Sequence, residues 1–186
     1  MMIGITGRNA AGKGEVANYL KTKGFVYYSL SDVIREEATK RRLEHSRANL
    51  INLGNELRKK FGPDYLAQQV NKKIKNLLKN KKNQNFVVDS IRSPYEAREL
   101  TKNKRFTLVG IDAPVELRFK RLLERNRIGD AKTLEEFKQQ EQRENLKSDT
   151  SQQLDATFGM AKKIIVNDGS LKELHKNINN LLLELK

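Results

Sequence analysis

The sequence predicts an α/β protein with a parallel β-sheet. Short apolar, strand-like runs recur along the chain, and helical patterns separate them. The five runs are residues 1–6, 25–29, 86–89, 106–112 and 163–166. Because parallel strands need crossover connections, strands that alternate with helices indicate a parallel sheet covered by helices. A glycine-rich segment directly after the first run supports the same class.

The first run leads into a phosphate-binding loop. Residues 7–14 read Gly-Arg-Asn-Ala-Ala-Gly-Lys-Gly, a G-x-x-x-x-G-K pattern. Small residues let successive backbone N–H groups point at one phosphate, the next helix adds its positive N-terminal end, and Lys13 reaches the β- and γ-phosphates. A helical pattern over 15–23, with Val16 and Leu20 on one side, completes the strand–loop–helix setting. The residues expected to contact a nucleoside triphosphate are Gly7, Arg8, Asn9, Ala10, Ala11, Gly12, Lys13, Gly14 and Glu15.

Gly14 departs from the usual form of this loop. The pattern normally has Ser or Thr after the lysine, and that hydroxyl contacts Mg²⁺. Gly14 has no hydroxyl, and the residue after it is Glu15. The sequence therefore predicts phosphate binding here and leaves the usual metal-binding hydroxyl unfilled.

Two segments outside the strands are candidates for parts that close over a ligand. Residues 31–82 form a helical block, broken at Gly62-Pro63, that is too long for a simple crossover, so we expect a small helical lobe. Residues 127–149 carry many charges and almost no strand signal, which is typical of a lid. No internal repeat or second domain is evident, and residues 1–186 are predicted to form a single domain.

The last helical pattern opens with a capping box, Ser170-Leu-Lys-Glu173. Its apolar residues recur at helical spacing, which predicts a helix that packs on the core. These residues are Leu171, Leu174, Ile178, Leu181, Leu182 and Leu185.

The composition excludes several classes of site. The chain has no cysteine, so it has no disulfide, no thiolate zinc site and no thiol nucleophile. His45 and His175 stand alone, without metal-ligand or triad spacing, which favours structural or surface roles. No apolar run approaches the ~20 residues that span a bilayer. We expect a cytoplasmic protein with no membrane partner.

The net charge of +14 has three competing explanations. Lys and Arg number 37 against 23 Asp and Glu. A basic surface can bind nucleic acid, an arginine-rich cleft can neutralise phosphates during catalysis, and lysine can be abundant in the source organism. The lysine-rich run at 72–82 has the pattern of a solvated helix face. Since no aromatic-interleaved motif accompanies the charge, a nucleic-acid partner is not favoured.

A carboxylate and a guanidinium follow the third strand. Asp89 ends the run 86–89, and Arg92 comes three residues later. Open α/β sheets bind ligands at this carboxyl edge. Asp89 is therefore a candidate Mg²⁺ ligand through water, and Arg92 is a candidate to grip a phosphate with its planar fork. The alternative is an Asp that caps the next helix, with Arg92 on the surface.

The second strand also runs into a helix with paired charges. Asp32 and Arg35 share a helix face at i, i+3 spacing. Arg35 suits an acceptor phosphate, and Asp32 suits an acceptor hydroxyl as a positioning group or general base. The alternative is a local ion pair. Arg58 is a further candidate for the same cleft, on a weaker assignment.

An arginine row follows the fourth strand. On a helical wheel Arg118, Arg121 and Arg125 lie on one face, whereas another face is apolar. The apolar residues are Val115, Phe119, Leu122 and Leu123. Guanidinium groups that close on a transferring phosphate neutralise its charge and exclude water. The alternative is an exposed basic face or a nucleic-acid patch.

Together these elements resemble the nucleoside monophosphate kinase group of P-loop kinases. Gly12-Lys13-Gly14 is similar to the adenylate kinase form of the loop, and Ser31-Asp32-x-x-Arg35 to the acceptor-phosphate segment. Asp89-x-x-Arg92 is similar to the strand-end motif, although the Gly and Pro of that motif are absent.

Nearly the whole chain also resembles dephospho-CoA kinase-like and deoxynucleotide kinase-like proteins, including the kinase-like segment ahead of some deoxycytidylate deaminases. The matching segments are Asn55-Glu-Leu-Arg58 with Gly62, Asp89-Ser-Ile-Arg92-Ser-Pro, Asp112-Ala-Pro-x-x-x-Arg118, Gln152-Gln153 and Val166-Asn167-Asp168-Gly169-Ser170. We expect no deaminase domain, and these residues, which include no cysteine, cannot supply that zinc site.

The resemblance implies a three-layer P-loop kinase fold with a five-stranded parallel sheet, a helical acceptor lobe and a lid. It also implies ATP on the phosphate loop, with Asn167 and Gly169 near the adenine, and Mg²⁺ organised by Asp89. The expected catalytic residues are Lys13, Arg92, Arg121 and Arg125. The expected acceptor-binding residues are Asp32, Arg35, Arg58 and Arg92.

The leading hypothesis is an ATP-dependent kinase that moves the γ-phosphoryl group to a small acceptor, a nucleoside or deoxynucleoside monophosphate. One alternative is dephospho-CoA phosphorylation, with Asp32 activating a ribose hydroxyl. Another is an ATPase or nucleotide-dependent module that acts on RNA or a protein and docks through its positive charge.

Overall fold

The computed structural model describes residues 1–81, 83–126, 129–144 and 152–185. Five strands form one parallel sheet: β1 (Met2–Thr6), β2 (Val26–Ser29), β3 (Phe86–Asp89), β4 (Phe106–Asp112) and β5 (Lys163–Val166). Their order across the sheet is β2-β3-β1-β4-β5. The predicted α/β class is therefore confirmed, and the strand bounds differ from the predicted ones by at most one residue.

The central strand is buried along its whole length. All five residues of β1 are buried, with Ile3 opposite Val87 on one side and Thr107 on the other. A parallel strand covered by helices on both faces needs apolar side chains at every position. This need explains the apolar run of residues 2–5 in β1, and the buried Thr6 hydroxyl donates a hydrogen bond to the Ile91 carbonyl.

The helices cover both faces of the sheet and extend beyond it. Their bounds are α1 (Lys13–Thr22), α2 (Leu30–Lys40), α3 (Arg47–Phe61), α4 (Tyr65–Asn80), α5 (Pro94–Thr101), α6 (Val115–Arg125), α7 (Leu134–Glu144), α8 (Leu154–Phe158) and α9 (Leu171–Glu184). Alternate strand residues point to opposite faces. Val88 accordingly joins the core formed with α2 to α5, whereas Val87 joins the core formed with α1 and α9.

Serine caps set the starts of several helices. The Ser170 hydroxyl accepts a hydrogen bond from the Glu173 N–H, and the Glu173 carboxylate accepts one from the Ser170 N–H, as the capping box predicts. Ser93 and Glu96 form a second capping box at α5. One prediction for α9 is wrong: Leu171 is 56% exposed and is not a core residue, and it lines the cavity at the carboxyl edge of the sheet.

The helical block after β2 has two breaks. The expected one separates α3 from α4, where Gly62 adopts a φ of 108°. The other, which was not predicted, separates α2 from α3 at residues 41–46. The end of the predicted block, Lys82, lies outside the described residues.

The described part of the predicted lid contains α7. Residues 127–128 and 145–149 of the predicted segment lie outside the part of the chain that the structure describes. In the described part, Phe137 of α7 is buried with Leu122 of α6 and Ala131 in a small third core. None of the described helices is long and apolar enough to cross a membrane.

Candidate functional site

A cavity of about 940 Å³ opens at the carboxyl edge of the sheet. Segments that follow β1, β2, β3 and β5 line it, as expected for a doubly wound sheet whose strand order reverses beside β1. The phosphate loop forms one wall, and residues from α2 and α3 form another. The topology therefore gathers segments that are far apart in sequence around one space.

The backbone of the phosphate loop requires its glycines. Gly7 has a φ of +141°, and a Cβ there would lie 2.1 Å from the Ile111 carbonyl oxygen. Gly12 has a φ of +99°, and a Cβ there would lie 2.1 Å from Nδ2 of Asn167. Because α1 begins at Lys13, its positive N-terminal end faces the loop. The loop thus has the backbone conformation and the helix end that an anionic phosphate needs.

The Lys13 side chain folds back over the start of the phosphate loop. Its Nζ donates hydrogen bonds to the carbonyl oxygens of Gly7 at 2.8 Å and Arg8 at 2.7 Å. Lys13 also lines the cavity, together with Gly14 and Glu15. A Cβ added at Gly14 would meet no atom within 4 Å. The structure therefore has room for a side chain with a metal-binding hydroxyl at this position, although glycine does not supply one.

Asn167 connects the phosphate loop to two other parts of the site, the end of β4 and α6. Its Nδ2 donates to the Ala11 carbonyl at 2.9 Å, and its backbone N–H donates to the Asp112 carbonyl at 2.7 Å. Its own carbonyl accepts a hydrogen bond from Nη1 of Arg121 at 3.0 Å. The residue predicted to lie near the adenine is thus also a structural support of the loop. Gly169 lines the cavity beside it.

Asp89 lies at the end of β3 and faces the cavity. One carboxylate oxygen accepts the Ser90 N–H at 2.6 Å, and the other accepts the Tyr27 hydroxyl at 3.3 Å. Burial, followed by the nearby Asp89 charge, raises the pKa of Tyr27 to about 12. The Tyr27 hydroxyl therefore stays protonated and continues to donate to Asp89 at neutral pH.

Asp89 fits a magnesium ion that arrives with a nucleotide. Among the described residues, no group of three or more His, Asp or Glu side chains is placed to hold a metal ion. Mg²⁺ in nucleotide sites commonly takes one or two protein carboxylates and completes its shell with phosphate oxygens and water. A single cavity-facing carboxylate meets this requirement, whereas it would not hold a resident metal ion alone.

Arg35 and Asp32 form the local ion pair that was the alternative interpretation. Nη1 of Arg35 lies 2.8 Å from Oδ1 of Asp32, and both side chains are about half exposed. Arg35 nevertheless lines the cavity. Surface pairs of this kind contribute little to stability, so the pair does not prevent Arg35 from turning to a ligand.

Arg58 lies in the cavity wall and is held by Glu96. Its Nε and Nη2 both donate to Oε1 of Glu96, at 3.1 and 2.8 Å, and both side chains are buried. The other Glu96 oxygen accepts the N–H groups of Arg92 and Ser93. Arg58, predicted to bind the acceptor, therefore has a structural role in this pair. The Arg92 side chain reaches the cavity and donates to Gln152 at 3.3 Å.

The predicted arginine row divides into two parts. Arg121 and Arg125 line the cavity, and Arg125 makes a two-point contact with Asp130 at 2.8 and 2.9 Å. Arg118 is only 1% exposed and points elsewhere. Leu123, assigned to the apolar face, is 47% exposed. The prediction that Arg118 lies on the same open face as Arg121 and Arg125 was wrong. A helical wheel shows which side of the helix a residue is on, but it does not show which other elements pack against that side.

Several cavity residues were missed. His45 was assigned a surface or structural role, but it lines the cavity, whereas His175 stacks on Tyr19 at 3.9 Å. The missed residues on the α2–α3 side are Tyr27, Ser29, Leu30, Ile34, Arg47, Leu50 and Ile51. Ser90, with a φ of +64°, was also missed. Ser29 ends β2 and Ser90 directly follows β3, a signal that could have identified them.

The chain matches the family model described as an AAA domain over residues 3–145. A UPF0200 protein of Pyrococcus abyssi is 33% identical over 188 residues, which covers 100% of this chain and 97% of that protein. A UPF0200 protein of Pyrococcus furiosus is 34% identical and covers 98% and 96% of the two chains.

Solved structures share the fold at lower identity. TT1252 from Thermus thermophilus superposes with a TM-score of 0.65 at 19% identity, covering 100% of this chain and 98% of that one. Shikimate kinase from Aquifex aeolicus has a TM-score of 0.53 at 19% identity, with 99% and 97% covered. Dephospho-CoA kinase from Campylobacter jejuni has a TM-score of 0.53 at 16% identity, with 100% and 97% covered. These likenesses confirm the predicted P-loop kinase fold.

Proposed function

This chain belongs to the UPF0200 family, with the fold of the P-loop kinases, and from that premise we propose that it is an ATP-dependent phosphotransferase. The γ-phosphoryl group of ATP moves to a small acceptor, a nucleoside or deoxynucleoside monophosphate. The observation that carries this proposal is the shared cavity: the phosphate loop and the cationic wall of α2 and α3 line the same space. A donor phosphate and an acceptor phosphate can therefore meet in it.

The phosphate loop binds the donor in this proposal. Backbone N–H groups and the N-terminal end of α1 neutralise the phosphates, and Lys13 exchanges the Gly7 and Arg8 carbonyls for phosphate oxygens. Magnesium, when bound with the nucleotide, supplies charge neutralisation of the β- and γ-phosphates. Asp89, oriented by Tyr27 and its own turn, is the carboxylate that would hold it.

The rest of the cavity lining fits an acceptor that has both an apolar body and an anionic group. Arg35, Arg47 and Arg92 line the cavity and suit a phosphate. The side chains that would contact an apolar ring are Ile34, Leu50, Ile51 and Leu66. A nucleoside monophosphate combines these two features.

A monophosphate acceptor also requires little proton chemistry. One of its oxygens, already anionic, forms the new bond to the γ-phosphorus, while the bond from that phosphorus to the β–γ bridging oxygen breaks and ADP leaves. Catalysis then consists of positioning and charge stabilisation. Arg92, Arg121 and Arg125 are the cavity-facing guanidinium groups proposed to follow the transferring charge.

A product analysis tests the proposal. Purified protein is incubated with Mg²⁺-ATP and, separately, each nucleoside and deoxynucleoside monophosphate, dephospho-CoA, shikimate, or RNA. We expect a nucleoside diphosphate and ADP in equal amounts. If coenzyme A is the product, the acceptor is dephospho-CoA and not a nucleoside monophosphate. If ADP forms only in the presence of RNA, the protein is an ATPase and not a phosphotransferase.

Two variants distinguish activity at this site from the activity of a contaminating kinase. Lys13→Ala should reduce kcat/KM about 100-fold or more, because it removes a cation placed on the transferring phosphate. Lys72→Ala removes an equal charge from an exposed position of α4 and should leave the activity unchanged. Equal activity of the wild-type and Lys13→Ala proteins would contradict the assignment of the phosphate loop.

A further inference from the structure

Arg118 joins the phosphate loop to α7 through a buried guanidinium. Its Nε donates to the Ala113 carbonyl at 2.9 Å, and its Nη1 donates to the Asn9 carbonyl at 3.3 Å. The same Nη1 forms an ion pair with the Glu141 carboxylate of α7. A buried charge is costly unless it is paired and hydrogen-bonded. The three contacts therefore fix the guanidinium between the loop and α7.

An apolar contact joins the same two parts of the chain. Phe137 of α7 is fully buried in the third core, and Ala10 of the phosphate loop packs against that core. The Arg118 guanidinium lies 5.4 Å from the centre of the Phe137 ring. The loop and α7 are thus connected by a polar and an apolar contact at neighbouring residues, Asn9 and Ala10.

The contact at Asn9 bears on the direction of a loop N–H group. The carbonyl of Asn9 and the N–H of Ala10 belong to one trans peptide plane and point in opposite directions. When Arg118 holds the carbonyl, it also holds the Ala10 N–H pointing away from itself. Ala10 lines the cavity, so the orientation of this donor is set by a residue outside the loop.

We propose that Arg118 and Glu141 are a positioning pair that couples nucleotide binding on the phosphate loop to the docking of α7. The inference rests on the proposed function, because the ligand concerned is the nucleotide of that reaction. Arg118 itself contacts no reacting atom. It holds the loop in the conformation that binds phosphate, and Glu141 holds Arg118.

The proposed coupling between nucleotide binding and the docking of α7 must act in both directions, and this can be tested. If docking of α7 favours the binding conformation of the loop, a bound nucleotide must favour docking of α7 by the same factor. A role confined to stability would change the free energy of unfolding and leave the response of α7 to the nucleotide intact.

Hydrogen exchange and binding measurements on the full chain test both directions. The wild type, Glu141→Gln and Arg118→Lys are titrated with a non-hydrolysable ATP analogue and Mg²⁺, and amide exchange in α7 is followed with and without the analogue. Glu135→Gln is the control, because it removes an equal charge from an exposed position of the same helix. Should Arg118→Lys fail to fold, Glu141→Gln carries the test.

In the wild type and in Glu135→Gln, the analogue should slow exchange in α7. Glu141→Gln should raise the Kd of the analogue about tenfold, within the usual range of coupling between sites, and should abolish the slowing. In the kinetic assay its KM for ATP should rise while the KM for the acceptor stays unchanged. Normal nucleotide binding by the wild type with no response in α7, or a Glu141→Gln protein that matches Glu135→Gln, overturns this inference alone. Absence of nucleotide binding by the wild type overturns the proposed function itself.

Discussion

The side-chain amide of Asn167 occupies the place where Gly12 would carry a Cβ. That Cβ would lie 2.1 Å from Nδ2, and the same Nδ2 donates a hydrogen bond to the carbonyl of Ala11. The glycine and the asparagine are separated by most of the chain. The absence of a Cβ at Gly12 leaves the space that the Asn167 amide fills. The close approach of β5 to the phosphate loop therefore depends on both residues.

Gly12→Ala should destabilise the protein by at least about 1–2 kcal/mol, the cost of a left-handed backbone for a residue with a Cβ. The steric contact with Asn167 adds to this cost. The double variant Gly12→Ala/Asn167→Ala should be less destabilised than the sum of the single variants, because it removes the contact. Urea denaturation of all three variants measures the difference, and simple additivity would contradict the contact.

Gly14 is two positions after Gly12, and Gly14→Ala should stabilise the protein instead of destabilising it. Gly14 lies in the first turn of α1, and a Cβ there meets no atom within 4 Å. Removing the backbone freedom of the unfolded glycine should raise stability by about 0.5–1 kcal/mol. Thermal denaturation of the two alanine variants side by side checks the sign, and a loss of stability at Gly14 would contradict it.

Gly14→Ser places a hydroxyl where phosphate loops usually have one. The open space at Gly14 accommodates it. We expect ATP turnover to reach half its maximum at a lower Mg²⁺ concentration than in the wild type. Gly14→Ala is the matched control, because it adds the Cβ without the oxygen. The same Mg²⁺ dependence in both variants would mean that the added hydroxyl does not reach the metal.

The ion pair of Arg58 and Glu96 should be a large contributor to stability. Both side chains are buried, and removal of one partner leaves the other charge without compensation. Arg58→Met should therefore cost about 3–5 kcal/mol. Arg98→Ala, on the exposed face of α5, should change stability by no more than about 0.5 kcal/mol. Equal denaturation midpoints for the two variants would contradict the structural role of Arg58.

The cap of α9 should show a defined pH dependence. The Ser170 N–H and hydroxyl lower the pKa of Glu173 below its ordinary value of 4.5. A lowered carboxyl pKa stabilises the fold above the ordinary value, and this stabilisation is lost as the pH falls through the lowered value. NMR titration of Glu173 should give the lowered pKa, and Ser170→Ala should raise it. Ser170→Ala should also cost about 1 kcal/mol at neutral pH.

The three central strands, β3, β1 and β4, could be predicted because buried strands are made of apolar residues, and this is visible in the sequence. A strand covered on both faces, such as β1, contains only residues that tolerate burial, and its boundaries coincide with the change in composition. The second break in the helical block was harder to predict. Residues 41–44 have ordinary helix propensity, and the local signal is the Ser46 cap, whose hydroxyl accepts the Asn49 N–H.

The site could be predicted only where its contacts are local. The pattern of the phosphate loop lies within eight consecutive residues, and the loop was predicted from them. Arg118 depends on Asn9, 109 positions away, and on Glu141, 23 positions away, and no local pattern indicates either partner. The same holds for Arg58: its partner Glu96 lies 38 positions further along the chain, so the local sequence does not distinguish it from an exposed arginine. Tertiary contacts decided the roles of both arginines.

The position of β1 in the centre of the sheet has a consequence for the order of folding. Its neighbours begin at Phe86 and Phe106, which lie 84 and 104 positions after Met2. Pairings of such high contact order form slowly, because the loop-closure entropy must be lost before the contacts form. On the ribosome, β1 emerges long before either neighbour exists. The phosphate loop therefore acquires its shape late in synthesis, and a nascent chain that stops before Phe106 leaves one edge of β1 unpaired and open to association with other chains.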